Sequence, residues 1–186
     1  MNLKEMKTKV LGLIEELSPT NALLTDDDDI ATKLNNVINQ IMFECCRIKK
    51  IPKYVKIDVS AGDVIDFADL EKACGYEVQQ IKTVNGVAYE PRADGTVYKV
   101  LEDGALEFDL YVYPERITDK TKDTYEFELS ADILEVMPFG IAGDLLKTDV
   151  SASYGNVYST RYENMINRID TRYAQTTITF EGGVTL

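Results

Sequence analysis

From Ile30 onward the apolar residues Ile30, Leu34, Val37, Ile38, Ile41, Met42, Cys45 and Ile48 recur at spacings of three and four. That period winds a single apolar stripe along a helix. Arg47, Lys49 and Lys50 suit its last turn, and Pro52 marks its end. A second helix is predicted over 2–17, where Leu3, Met6, Val10, Leu13, Ile14 and Leu17 share a face and Pro19 follows. After Pro52 the period drops to two: Val55, Ile57 and Val59 oppose Lys56 and Asp58, as in a half-buried strand over 54–59. Residues 60–74 are ambiguous and admit a short helical turn in DFADLEKAC. Asn85-Gly86, Asp94-Gly95 and Asp103-Gly104 then separate the strand-like runs YEVQQIKTV, VAYEP, TVYKVL and ALEFDLYVY. Such dipeptides suit two-residue hairpins, whose two central positions need positive φ. An antiparallel meander is therefore predicted, with TYEFEL at 124–129 as one more strand beyond the polar stretch 115–123.

Helical periodicity returns at Ser130, expected to cap a short helix ending near Pro138. Pro138 suits the first position of the next helix, PFGIAGDLLKTD, because its φ is already set. The last helix is predicted from about 151 to 173, with Tyr154, Tyr158, Tyr162, Met165, Ile166 and Ile169 as its stripe. Val157 lies beside that stripe, and Arg161, Asn164 and Arg168 form an adjacent polar face. A tyrosine stripe at this spacing points to core or interface packing, with the hydroxyls at a partly wet edge. Beyond it Thr176 to Phe180 alternates before EGGVTL. The expected class is α+β: a helical bundle built from both chain ends with an inserted antiparallel β meander. The corresponding division is a helical domain over 1–52 and 130–174, a β subdomain over 53–129, and a C-terminal tail over 175–186.

Composition narrows the functions. A chain of 186 residues suits one domain carrying an insertion. A formal charge of −12 argues against a nucleic-acid-binding face or an anionic membrane surface. No run approaches the roughly 20 apolar residues of a transmembrane helix. Lys4, Glu5, Lys7, Lys9, Glu15 and Glu16 break up the start of the chain, unlike a signal peptide. Cys45, Cys46 and Cys74 have no framework spacing, which suggests buried thiols in a reducing compartment.

The run Asp26 to Asp29 could hold a cation or start a helix. A calcium loop needs alternating ligands, a central Gly and a distal Glu, none of which is present. Thr25 with Asp28 three residues later fits a helix cap instead. Carboxylates in the first turn then meet free N–H groups and the positive end of the helix dipole.

Catalysis is not expected. The chain contains no histidine, which removes the commonest general base and most zinc sites. No phosphate loop or dinucleotide fingerprint occurs, and no carboxylate pair stands out by position. No cofactor and no metal are expected.

The segment MPFGIAGDLLKTDVSASYGNVYSTRYENMINRID resembles the terminal helices of tailed-phage head–tail connector proteins, also called adaptor or head-completion proteins. The resemblance rests on Pro138, the small-residue run Gly140 to Gly143, Asp144-Leu145-Leu146, the acidic break at Asp149 and the Tyr162-Glu163 helix. TFEGGV near the end is similar to phage structural proteins, and TDDDDI and IKKIPKYV fit the same type. It covers about 1–52 and 130–186, while the β region departs from the simplest all-helical connectors. It implies a structural protein of the virion neck, made in the host cytoplasm, of phage or prophage origin. Its implied partners are the portal ring, neighbouring copies in a ring (twelvefold when assembled) and a downstream neck or tail protein. Packaged DNA would pass through without sequence-specific binding, and no membrane is involved. Tyr154, Tyr158, Arg161, Tyr162 and Arg168 of the last helix are the expected protein interface, together with Ile178, Phe180 and Val184 of the tail. The alternatives are an unrelated α+β protein-binding domain of non-viral function and a small acid–base enzyme.

Overall fold

The computed structural model describes residues 1–15, 28–147 and 152–169, with side chains except at 28–32, 94 and 152. Helix α1 (Leu3–Leu13) starts in a reciprocal cap. The Asn2 side chain accepts the Glu5 N–H at 2.9 Å, and the Glu5 carboxylate accepts the Asn2 N–H at 3.0 Å. The helix ends before the predicted Leu17: Ile14 closes the last turn onto the Val10 carbonyl, and Glu15 turns away with φ 62°. Helix α2 (Asp28–Ile48) includes Asp28 and Asp29 of the acidic run, while Thr25, Asp26 and Asp27 lie outside the described residues. Its buried side is the predicted stripe, including Leu34, Ile38, Ile41, Met42 and Cys45.

The middle of the chain forms β1 (Ile51–Val59), β2 (Val64–Ile65), α3 (Phe67–Cys74), β3 (Val78–Gly86), β4 (Tyr89–Arg92), β5 (Val97–Val100) and β6 (Gly104–Val112). These strands make two three-stranded antiparallel sheets, ordered β1-β6-β3 and β2-β5-β4. The predicted meander is therefore corrected. Asp94-Gly95 does turn a hairpin, inside the 3-10 turn Ala93–Gly95 that joins β4 to β5. At the other two dipeptides the chain crosses between sheets: Asn85-Gly86 ends β3, and Gly104 opens β6. Gly86 has φ 118°, and a side chain there would overlap the Ala105 carbonyl oxygen. The glycine signal was real, but it serves close backbone approach rather than a two-residue turn.

Strand β6 takes the centre of its sheet because one face is apolar along its length: Leu106, Phe108, Leu110 and Val112 are all buried. The register sets Val55 opposite Phe108 and Ile51 opposite Val112. Tyr98 of β5 meets the Phe108 ring edge-on at 5.6 Å, so the small sheet covers the large one. Helix α3, capped by Asp66 and Asp69, adds the fully buried Leu70.

TYEFEL is not a strand. Residues 113–130 form a strap held by backbone bonds to the start of the chain, Leu3 N–H to Tyr125 O at 2.8 Å and Lys4 N–H to Asp123 O at 3.0 Å. Asn2 and Glu126 form a single antiparallel bridge. Asn39 of α2 clamps the strap's other end, its amide bonding the Ile117 carbonyl and N–H at 2.8 Å each.

Pro138 does not open a helix either; it lies within α4 (Ala131–Leu146), which runs through without a break. A proline inside a helix lacks one donor and costs about 3 kcal/mol. Burial offsets that, since Ile133, Met137 and Ile141 are fully buried and each contributes about 1.5–3 kcal/mol. Helix α4 is apolar nearly all round and packs on α1, α2 and the last helix, α5 (Ala152–Ile166). The buried side chains of helices and sheets form one hydrophobic cluster in a mixed α+β fold.

Candidate functional site

Helix α5 is held by a narrow contact with α4. A β-carbon on Gly143 would lie 3.3 Å from the Gly155 carbonyl oxygen, and one on Gly155 would lie 3.2 Å from that of Gly143. Small residues on both sides let the two backbones approach this closely. A turn further on, the Tyr162 ring covers Gly140, where a β-carbon would come within 3.0 Å of Cδ2.

The three tyrosines of the stripe have different fates. Tyr162 is 6% exposed; its hydroxyl lies 3.1 Å from Glu44 Oε1 and 3.5 Å from Cys45 Sγ. Burial, with those two neighbours behind it, raises the Tyr162 phenol far above its ordinary range. Burial also pushes the Cys45 thiol up to about 11. Neither group ionises near neutral pH, so this pair is packing and supplies no nucleophile. Tyr158 is half-buried, and its hydroxyl donates to the Leu13 carbonyl at 2.7 Å, satisfying a free acceptor at the end of α1. Tyr154 is 67% exposed. It rims a groove of about 210 Å³ shared with Leu13, Ile14, Glu15, Leu146 and Tyr158.

The arginines are exposed. Arg161 places its guanidinium 4.1 Å above the centre of the Phe139 ring, which fixes its direction. Arg168 lies in the turn after α5. Neither has a carboxylate within ion-pair distance among the described residues. The accessible face of α5 thus combines Tyr154, Val157, Arg161 and Asn164, with Val157 62% exposed and Arg168 exposed in the turn beyond. The Tyr162 side chain is turned inward, away from it. Ile178, Phe180 and Val184 lie outside the described residues.

A second exposed feature escaped the sequence reading. Val64 and Leu101 are 52% and 50% exposed at the end of the sheets farthest along β1 from the α2 junction. The exposed Asp63, Glu102 and Asp103 are their neighbours along the chain, and Lys99 is the cross-strand partner of Val64. The only advance signal was two apolar residues set among turn residues.

Among the described residues no three acidic or thiol groups converge as a metal site would require, and no charged side chain is buried. No helix among them is long and apolar enough to cross a membrane. Fold and surface together define a mixed α+β protein whose distinctive site is an open helical face. No protein-family model and no curated protein matches the chain.

Proposed function

We propose that this protein is a structural component of the neck of a tailed phage or prophage particle, a head–tail connector. On this reading it binds the portal ring after DNA packaging, extends the DNA channel and offers the platform for tail attachment. The observation that carries the reading is the α4–α5 pair. The stretch that resembles connector terminal helices, including Gly140, Gly143 and Tyr162, supplies the contacts of that close crossing. The bundle would be completed by helices from both chain ends, with the β sheets as an insertion facing the ring's periphery or the next neck protein. The net charge of −12 fits a channel wall that repels phosphates and lets DNA slide.

The test is addition of the purified protein to DNA-filled, tailless heads of the phage or prophage that encodes it, followed by electron microscopy. Extra density confined to the portal vertex, with recovery of tail joining, is the expected result. Heads that stay bare and unjoined at saturating protein would refute the connector role.

A further inference from the structure

We propose that the cavity where the end of α2 meets the large sheet binds a small phosphate monoester whose alcohol part is compact and apolar. Its volume is about 340 Å³, at the small end of the roughly 300–1,000 Å³ usual for small-molecule sites. Ile51, Pro52, Tyr111 and Leu129 contribute apolar lining. Lys49, Lys50 and Lys82 bring three ammonium groups to the same space, in a chain of charge −12. Lys49 and Lys50 follow α2, and Lys82 belongs to β3.

Local bonding decides which of these charges are already neutralised. Lys49 pairs with Asp132 at 2.6 Å. Glu128, the carboxylate lining the cavity, accepts the Tyr76 hydroxyl at 2.6 Å and meets the Lys53 ammonium at 3.2 Å. Lys50 and Lys82 have no carboxylate within ion-pair distance among the described residues. Lys50 is nevertheless held in place. Its ammonium bonds the Gln80 amide oxygen and lies 5.0 Å from the centre of the Tyr111 ring. Gln80 and Tyr111 are themselves paired across β3 and β6. The register of these strands slips between Ile81 and Thr83, which makes Lys82 the extra residue of a bulge. A bulge re-aims one side chain out of the strand's alternation, and bulges are over-represented beside functional sites.

Two uncompensated ammonium groups match a dianion. A phosphate monoester carries about −1.5 to −2 charges at pH 7, because its second pKa is about 6, and it offers three acceptor oxygens. A carboxylate brings only one charge. The apolar lining selects for more than a bare ion, since an apolar body displaces water from Pro52 and Tyr111. The site does not depend on the connector reading.

The experiment is an amide NMR titration of the full chain, with phenyl phosphate, inorganic phosphate, benzoate and benzyl alcohol as probes. Phenyl phosphate should shift the amides of residues 49–52, 80–82 and 111 in a saturable way, with a dissociation constant of about 1 mM. The other three probes lack either the second charge or the apolar body, and each should bind at least about fivefold more weakly. K50Q and K82Q should each weaken phenyl phosphate by about threefold, and the double variant by about tenfold, at wild-type melting temperatures. Lys82 makes no side-chain bond among the described residues, so its variant reads the charge without disturbing the fold. R47Q, at an exposed arginine elsewhere on α2, should leave binding unchanged. Acidification from about pH 7.5 to about pH 5 makes the ligand a monoanion and should weaken it by about threefold. No saturable shift at these residues up to about 20 mM phenyl phosphate overturns the proposal, as does undiminished affinity in K50Q/K82Q. Benzoate or inorganic phosphate binding as tightly as phenyl phosphate overturns the assigned ligand chemistry, and benzyl alcohol doing so removes the lysines from it.

Discussion

Gly143 and Ser159 stand so close that a β-carbon on the glycine would lie 2.5 Å from Ser159 Oγ and 3.0 Å from its backbone nitrogen. The hydroxyl could rotate away, but the backbone nitrogen could not, so Gly143→Ala must push α5 off α4. Overpacking of this kind costs about 1–3 kcal/mol. Urea unfolding should show that loss, and a change below about 0.5 kcal/mol would mean the helices have room to spare.

Tyr162 contributes through its ring more than through its hydroxyl. Tyr162→Phe keeps the cover over Gly140 and gives up the bonds to Glu44 and Cys45, a loss of about 0.5–1.5 kcal/mol. Tyr162→Ala should cost about 3–5 kcal/mol, the range for removing a buried aromatic ring. Equal losses for the two variants would make the hydroxyl the dominant part.

Lys49 and Asp132 join the end of α2 to the start of α4 through a 2.6 Å ion pair. Burial, the largest single influence, would raise the Asp132 carboxyl, but the Lys49 bond and charge together with neighbouring hydrogen bonds, the Ile133 N–H among them, outweigh it and hold the group below its ordinary 3.8. The folded value is the lower one, so this stabilisation is present above pH 3.8 and is lost as pH falls through the folded value. Asp132 is partly exposed, so the gap between wild type and Asp132→Asn should be about 0.5 kcal/mol at neutral pH. It should close in acid. Melting curves of both proteins from pH 7 to about pH 3 would reveal a gap that fails to narrow, contrary to this assignment.

Thiol reagents should distinguish the three cysteines. Cys45 and Cys46 are fully buried, and burial raises both thiols, Cys45 to about 11. Cys74 is half-buried at the end of α3. At pH 8 maleimide should label Cys74 first and leave the other two until the protein is unfolded, as peptide mass spectrometry would record. Labelling of Cys45 in the folded protein at the rate of Cys74 would mean that the α2–α5 contact opens readily.

Short-range pattern was legible wherever neighbours along the chain decide the outcome. The apolar period of α2, the alternation of β1 and the run that became β6 all follow from which side of a local element must be buried. On the last helix as predicted, the same period separated Arg161 and Arg168 from the packed residues, which is why those two could be named as candidates; in the structure Arg168 falls in the turn after α5. Partnership across the chain was decided by tertiary structure alone. Gly86 and Gly104 carry turn chemistry that a hairpin and a crossover between sheets satisfy equally well. The outcome went to whichever arrangement buried the apolar face of β6 in the centre. Pro138 reads as a helix start, yet burial on three sides made an unbroken α4 cheaper than two short helices. Tyr154, Tyr158 and Tyr162 share one spacing, but Gly140 lies under the third and solvent over the first. The Cys45 that meets Tyr162 is 117 residues away in sequence, and periodicity carries no information at that distance. The local element follows from the chain's own repeat of polar and apolar positions; which face stays open depends on long-range packing that the repeat does not encode.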